Sequence, residues 1–521
     1  MIPVVTTAEM RSIDEKAIQG DVATGFSYMQ KAGMGLYDAV VQMGLECKTD
    51  EIAIVCGKGN NGGDGYVVGR LLLDKGYSVM CFGLCEGEAL AGEARHAFDE
   101  YIIKEGNFFH IDDSADLEGF GRFSLIIDAL LGTGVQGNPR GLYADVIKAI
   151  NLSGKPVLAV DTPSGLNNDT GLPARPAVNA SCTVTMGYPK IGQLFYPGRS
   201  LLGKLVIKDL GYPVELAERN NSQLYLPEKD DFQKLIPPRK PAGSKFDHGL
   251  ACLLCGSRGM IGSAALASAA ALRTGCGMVH CAVPESVVPV MSTKVTEPVL
   301  HAITETLEGT PASAAADTIS QLASSMQAAC IGPGISHNQD TTVLVRKLIA
   351  TITIPVVLDA DGINAFKGCV DELRGHASDI ILTPHRGEWE RLFGPLPSEP
   401  VLLIDAIEQK AREFSLIVVF KGNPSIVVSP DGKKIVLPVG NSGMATAGCG
   451  DVLSGILVSL LAQGCTPFDA AILGTALHGY AGELASRELG EYSVIAGDLI
   501  HYIHTALNDV ITHINTSILF E

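Results

Sequence analysis

The run IAIVCGKGNNGGDGYVVGRLLL, residues 52–73, leaves the chain little choice of fold. Five apolar residues, Ile52 to Cys56, read as a buried strand. A turn dense in glycine follows, and then a helical pattern. Strand, glycine turn and helix in that order form the first half of a βαβ unit. Further apolar runs at 78–84, 124–131, 156–160 and 182–186 alternate with helical segments, which predicts a parallel sheet covered by helices. At the start of the chain, Thr6 and Glu9 stand three apart ahead of Met10, Ile13, Ala17 and Ile18. That spacing is the signature of a capping box opening an amphipathic helix.

The pattern changes over 213–240, which is polar and carries Pro237 and Pro238 near its end, with Pro241 just beyond. It reads as a linker between two α/β domains, 1–212 and 241–521. A second alternating series begins at Leu250, with strands expected at 250–255, 278–283, 328–331, 354–359, 379–383, 416–420, 425–429 and 434–437. Two apolar helices follow, near 450–463 and 467–486. The chain has 521 residues, 46% hydrophobic and 18% charged, enough apolar material for two real cores. Its net charge of −18 argues against a nucleic-acid or anionic-membrane surface. The 13 cysteines are scattered, and Cys252 and Cys255 have no second pair at zinc spacing, so buried reduced thiols are expected. With no basic, apolar leader and no membrane-length apolar run, the expected location is cytoplasmic.

Gly57, Gly59 and Gly62 fit G-x-G-x-x-G, the turn that seats a dinucleotide pyrophosphate on a helix N-terminus. The same turn also holds Asn60, Asn61 and Asp64. A carboxylate there would repel a pyrophosphate unless it has another task, and asparagine carbonyls suit a hard cation. Taken alone, Asp64 can also be an N-cap. Two more loops follow strands: DALLGTGVQGN, beginning at Asp128, and VDTPSGLN, holding Asp161 and Ser164. In an open α/β sheet, loops at the carboxyl ends of strands gather at one crevice, so all three should converge.

In the second half, GCGD at Gly448–Asp451 precedes an apolar helix. Backbone N–H groups at such a helix start stabilise a transferring phosphoryl group, and Asp451 is placed to accept the proton of an attacking hydroxyl. Lys421 and Gly422 occupy a turn between two strands.

These motifs carry a resemblance. GNNGGDGYVVGRLL, DALLGTG and VDTPSGLN, with TTAEMRSIDEKAI ahead of them, resemble the NAD(P)H-hydrate epimerase domain, the YjeF N-terminal family. The match spans roughly 1–212. The second half is similar to the ADP/ATP-dependent NAD(P)H-hydrate dehydratases of ribokinase-like fold. It does so through GSRGMIGSAALASAAALRTGCG, IGPGIS, LDADGINAF, LTPHRGEWERL, KGN and GCGD.

The resemblance implies a Rossmann-like α/β/α domain followed by a ribokinase-like one. The first would epimerise the R and S hydrates of NAD(P)H. The second would dehydrate the S hydrate at the expense of ADP or ATP, with magnesium. It implies epimerase substrate contacts from Asn60, Asn61, Gly62, Gly63, Asp64, Gly132, Thr133, Gly134, Val135, Gln136, Gly137, Asn138 and Asp161. Asp161 would be the acid/base, and Asn61, Asp128 and Ser164 would hold a potassium ion. In the second domain, Ser263, Gly334, His385 and Asp451 would meet the hydrate. Lys421, Gly422, Asn423, Pro424, Ser425 and Gly450 would meet the nucleotide, and Asp451 would be catalytic. The chain departs from the family pattern at Ser263, Ser425, Cys449 and the SKFDHG segment. The expected partners are the hydrates and an adenine nucleotide, with no nucleic acid or membrane and a homo-oligomeric assembly. Two other readings stay open: a ribokinase-like small-molecule kinase with a non-catalytic N-terminal domain, or a non-enzymatic scaffold.

Overall fold

The computed structural model describes every residue except 48, 114–116, 118, 135–136, 219–222 and 513–521. The described chain divides into two compact units, 2–223 and 224–512, with Met1 grouped with the second and 399–401 with the first.

In the first unit, α1 (Thr7–Ile18) opens with the expected box. Thr6 caps the backbone of Glu9 while the Glu9 side chain returns to the Thr6 N–H. Next come α2 (Val22–Gln42), β1 (Glu51–Cys56), α3 (Asn60–Asp74), β2 (Ser78–Gly83), α4 (Gly92–Ile103) and β3 (Asn107–His110). Then follow β4 (Leu125–Ala129), α5 (Leu142–Leu152), β5 (Val157–Val160), β6 (Cys182–Met186) and β7 (Lys204–Lys208). The seven strands pair in the order β3-β2-β1-β4-β5-β6-β7, all parallel. The side-chain period of two splits β1 cleanly. Ile52, Ile54 and Cys56 pack beneath α1 to α4, while Ala53 and Val55 join Val146, Ile147 and Ile150 of α5 on the other face. This is the three-layer arrangement expected. It gathers the loops after β1, β4 and β5 at one edge.

The second unit begins inside the stretch read as linker. Leu224–Leu226 is strand β8, and Lys229–Leu235 is helical. The remaining strands are β9 (Leu250–Leu254), β10 (Met278–Pro284), β11 (Val299–Ile303), β12 (Ala328–Ile331), β13 (Val356–Leu358), β14 (Ile380–Leu382), β15 (Ile417–Phe420), β16 (Ser425–Val428) and β17 (Lys434–Leu437). Their order is β8-β17-β16-β15-β14-β13-β12-β9-β10-β11. The pairing is parallel except for the two antiparallel pairs β15–β16 and β16–β17.

Helix α6 (Ile261–Arg273) follows β9, and α7 (Cys449–Ala462) and α8 (Pro467–Leu489) follow the meander. Every residue of α7 from Val452 to Ala462 is buried, as a helix apolar on all sides must be. Cys252 and Cys255 are buried free thiols, as expected. No helix among the described residues is long and apolar enough to cross a membrane.

Helix α7 packs against α6 at Gly455. A Cβ there would lie 2.2 Å from the Ala267 carbonyl oxygen and 2.8 Å from Ala270 Cβ. A Gly-to-Ala change inside a helix ordinarily gains up to about 1 kcal/mol. At this crossing the clash wins, so Gly455→Ala should lower stability by about 1–3 kcal/mol. The urea midpoint of the chain reads this directly, and a rise would contradict the packing described.

Candidate functional site

Each unit carries its own site at the carboxyl edge of its sheet. In the first, α3 starts at Asn60 behind Gly59, whose backbone is extended and which offers no side-chain cap. The first N–H groups of α3 therefore have no capping partner from that residue. The turn is glycine-rich for steric reasons. A Cβ on Gly57 would sit 2.0 Å from the Leu130 carbonyl oxygen, and one on Gly62 would sit 2.0 Å from the Gly57 carbonyl oxygen. Asp64 is not the N-cap; it is the fifth residue of α3.

A cavity of about 190 Å³ opens over this helix start, walled by Asn60, Asn61, Asp64, Gly132, Thr133 and Asp161 among others. The three loops thus converge as expected. Gly62 and Gly63 are buried in the helix beneath it. Gly134, Gly137 and Asn138 are not part of the wall; Asn138 instead accepts the Arg175 backbone N–H at 2.9 Å. Val135 and Gln136 lie outside the described residues.

Asp161 follows β5 with a positive φ of 61°, a conformation uncommon for a residue other than glycine. Its Oδ1 accepts from Lys190 Nζ at 2.5 Å, from the Met186 N–H at 3.0 Å and from Thr185 Oγ1 at 3.3 Å. Among the described residues, all of the carboxylate's hydrogen bonds fall on that one oxygen. Lys190 is only 1% exposed and also donates to Thr185 Oγ1 and the Met186 carbonyl, so the buried ammonium is fully engaged. The Asn61 amide nitrogen is buried without a partner, and a ligand oxygen is the acceptor it lacks.

Asp128 and Ser164 lie together beneath the loops. Ser164 Oγ donates to Asp128 Oδ1 at 2.6 Å, and the Ser164 N–H donates to Oδ2 at 2.8 Å. Ser164 Oγ also accepts the Leu131 N–H at 2.9 Å, which ties the β4 and β5 loops together. Burial pushes the Asp128 carboxyl up to about 6 against the pull of these hydrogen bonds. Asn61, Asp128 and Ser164 offer hard oxygens with a single carboxylate among them, the donor type that suits a hard cation.

Sequence reasoning passed over Asp14, Tyr212 and Lys190. Asp14 and Tyr212 line the same cavity, and the Tyr212 hydroxyl donates to Asp14 at 2.5 Å. Asp14 was legible: it is a carboxylate on the apolar face of α1, one turn from both Met10 and Ile18.

In the second unit, α7 begins at Cys449 behind Gly448, whose φ is 93° and which again gives no side-chain cap. A cavity of about 660 Å³ lies at this helix start, lined by Lys421, Gly422, Asn423, Ser425 and Gly450, and also by His385. Pro424 is not in its wall. The His385 ring accepts the Gly387 and Glu388 N–H groups on Nδ1, at 3.0 and 3.2 Å, and so caps the helix Arg386–Phe393. Asp451, Ser263 and Gly334 form a separate group. The Ser263 side chain lies close enough to Asp451 to favour its ionised form, and a Cβ on Gly334 would sit 2.7 Å from Ser263 Oγ. Burial, only partly offset by Ser263, pushes the Asp451 carboxyl up to about 6.

Behind the cavity stands an ion triad whose acidic members, Asp359 and Glu388, the motifs did not single out. Lys421 Nζ contacts Asp359 Oδ1 at 2.7 Å and Glu388 Oε2 at 3.4 Å. Ser454 Oγ donates to the other Asp359 oxygen at 2.7 Å. Burial opposes ionisation of Asp359, but the Lys421 charge and hydrogen bonds from Lys421, Ser454 and Thr383 outweigh it. They hold the carboxyl below its ordinary value. Burial likewise opposes the charge on Lys421, and Asp359 and Glu388 overcome it and raise its pKa. Among the described residues, no three His, Cys, Asp or Glu side chains cluster to hold a metal ion.

Two families match the chain. The one described as YjeF-related protein N-terminus covers residues 26–192, and the one described as NAD(P)H-hydrate dehydratase covers 251–505. The bifunctional NAD(P)H-hydrate repair enzyme Nnr of Moorella thermoacetica is 35% identical, over 98% of this chain and 98% of its own. The protein of the same description from Thermofilum pendens is 35% identical over 97% and 96%. A crystal structure of the ADP/ATP-dependent NAD(P)H-hydrate dehydratase from Bacillus subtilis, co-crystallized with ATP and Mg2+, is 25% identical. It covers 54% of this chain and 97% of that one, with a TM-score of 0.45.

The buried triad gives a stability prediction. Asp359→Ala leaves the Lys421 ammonium in a poorly solvated site with one distant partner. It should cost about 3 kcal/mol, the range for breaking a buried ion pair. Denaturant titration checks this, and a neutral result would mean that Lys421 is solvated rather than held.

Proposed function

The chain belongs to the bifunctional NAD(P)H-hydrate repair enzymes, and from that premise we propose how its two sites share the work. It joins an NAD(P)H-hydrate epimerase domain to an ADP/ATP-dependent dehydratase domain. The first unit interconverts the R and S hydrates. The second removes water from the S hydrate, turning ADP into AMP, or ATP into ADP, and releasing phosphate. One observation carries the division of labour. Each unit has its own cavity at a helix N-terminus without a side-chain cap, with a carboxylate–lysine pair beside it.

In the first cavity, Asn60, Asn61, Asp64, Gly132 and Thr133 receive the hydrate, and the open N–H groups of α3 favour its phosphates. Asp161, fixed by Lys190, moves the proton at the hydroxyl-bearing ring carbon. A potassium ion held by Asn61, Asp128 and Ser164 would supply positive charge beneath the loops; the protein's own part is the Ser164–Asp128 tie that fixes their spacing.

In the second cavity, Lys421 to Ser425 and Gly450 hold the nucleotide, and magnesium arrives on its phosphates. Lys421 spends two of its three N–H donors on Asp359 and Glu388, which leaves one for a phosphate oxygen. The hydrate rests against Ser263, Gly334 and His385, with its hydroxyl near Asp451. Hydroxide is a poor leaving group. Asp451 takes the hydroxyl proton as the oxygen attacks phosphorus, and the N–H groups at the start of α7 stabilise the transferring charge. The ring nitrogen lone pair then expels phosphate, and loss of the neighbouring C–H proton restores the reduced ring. Ser263, whose side chain favours the ionised form of Asp451, is compatible with this step.

Given both hydrate epimers and ADP or ATP, the intact chain should convert the whole sample to NADH, read by recovered absorbance. Asp161→Ala should stop near half, beyond slow spontaneous epimerisation. A stable phosphorylated product with no NADH would favour the small-molecule kinase reading instead.

The pH dependence has a definite sign. Asp451 works as a base only when ionised, and its pKa stands at about 6. The dehydratase kcat/KM should therefore fall about tenfold per pH unit below that value and level off above it. A rate unchanged down to pH of about 4, the ordinary aspartate range, would remove Asp451 from the role.

A further inference from the structure

An epimerase acting on a hydrated ring meets a demand that one carboxylate does not easily satisfy. The hydroxyl leaves one face of the carbon and returns to the other. Proton transfer is needed on both faces, in opposite senses. The N-terminal cavity holds more acid groups than Asp161 alone. Asp64 from α3, Asp14 from α1 and Asp161 after β5 all line it, with the Tyr212 hydroxyl.

These groups are not equivalent. Asp161 is bound to Lys190. Asp14 is bound to Tyr212. The Asp64 carboxyl has no hydrogen-bond partner among the described residues, and its side chain is half-buried in the helix start. A partly desolvated carboxyl without a protein partner favours its neutral, proton-donating form, and this one lines the cavity where the hydrate would lie. Its position also differs from a structural cap, since Gly59 is the N-cap of α3.

We propose that Asp64 is the second proton-transfer residue of the N-terminal site, paired with Asp161, and that Asp14, held by Tyr212, is the positioning residue beside it. The proposal rests on the epimerase reading of this cavity. In one direction, the ring nitrogen lone pair forms C=N as the C–O bond breaks, and the departing oxygen takes the Asp64 proton to leave as water. Water then forms a C–O bond on the opposite face, the C=N pair returns to nitrogen, and the water's proton passes to Asp161. The reverse direction exchanges the two roles, and exchange with solvent resets the protons.

The electrostatics agree. Burial, then the charges of Asp161 and Asp14, hold the Asp64 carboxyl well above its ordinary value against the pull of Lys190, which keeps it a donor. Burial likewise raises Asp14 despite the Tyr212 hydrogen bond.

The test uses the full chain without nucleotide, so that the second unit is silent, and follows interconversion of each purified hydrate by chromatography. Asp64→Asn should lower kcat by about 100-fold or more, the range for losing a general acid, with KM within about threefold. Asp64→Ser should do the same, and Asp64→Glu should recover part of the rate. Dehydration of the S hydrate by the same variants and their thermal midpoints should stay at parental values, which separates chemistry from misfolding. Asp14→Asn should move the alkaline limb of the epimerisation pH profile to lower pH, because a neighbour that raises Asp64 is gone. A parental rate in Asp64→Asn, or a change in KM alone, overturns the assignment. A parent chain that does not interconvert the purified hydrates above the uncatalysed rate sinks the epimerase reading and takes this proposal with it.

Discussion

Two carboxylate–lysine contacts govern the chemistry of this chain: Asp161 with Lys190, and Asp359 with Lys421. Each puts a charge pair where water is scarce, and each is made affordable by extra hydrogen bonds from Thr185 and Met186, or from Ser454. The consequence reaches beyond the pair. A second carboxyl near each one, Asp64 in the first unit and Asp451 in the second, is pushed away from ionisation by burial and by neighbouring aspartates. The fold thus sets a lysine-paired carboxylate near a carboxyl that resists ionisation in both sites.

Both sites use the same backbone device. A parallel sheet sends its loops to one edge, and the helix that follows starts there without a side-chain cap, at Gly59 and at Gly448. The exposed N–H groups welcome phosphate. That device explains why the 57–65 turn looks like a dinucleotide fingerprint. Its glycines answer to backbone crowding at Leu130 and Gly57, while Asn61 and Asp64 add functional groups that a plain pyrophosphate turn does not need.

Much of this was legible in the residues. Central strands are continuous apolar runs buried on both faces, such as Ile52–Cys56 and Ile417–Phe420, and their periodicity found them. The strands missed are β3, β7, β8 and β11. Three of them stand at the margins of their sheets with partly exposed residues, as in Asn107–His110 and Val299–Ile303, and β8 is only three residues long. Asp128 and Asp161 were visible because each ends a strand. Lys190, Tyr212 and Glu388 were not, because their roles arise only when distant segments fold together: Tyr212 meets Asp14 across 198 positions. Asp14 alone broke the pattern of its own helix, and such a local inconsistency is where function tends to sit.

The central claim is that each unit sets an ion-paired carboxylate against a carboxyl that resists ionisation. Carboxyl-carbon NMR of the aspartate-labelled full chain, with Asp64→Asn and Asp451→Asn variants for assignment, measures it most directly. The account predicts a signal titrating at about 6 that vanishes in Asp451→Asn. It also predicts a signal titrating well above the ordinary range that vanishes in Asp64→Asn. Both signals titrating near the ordinary aspartate value of about 4 would contradict it.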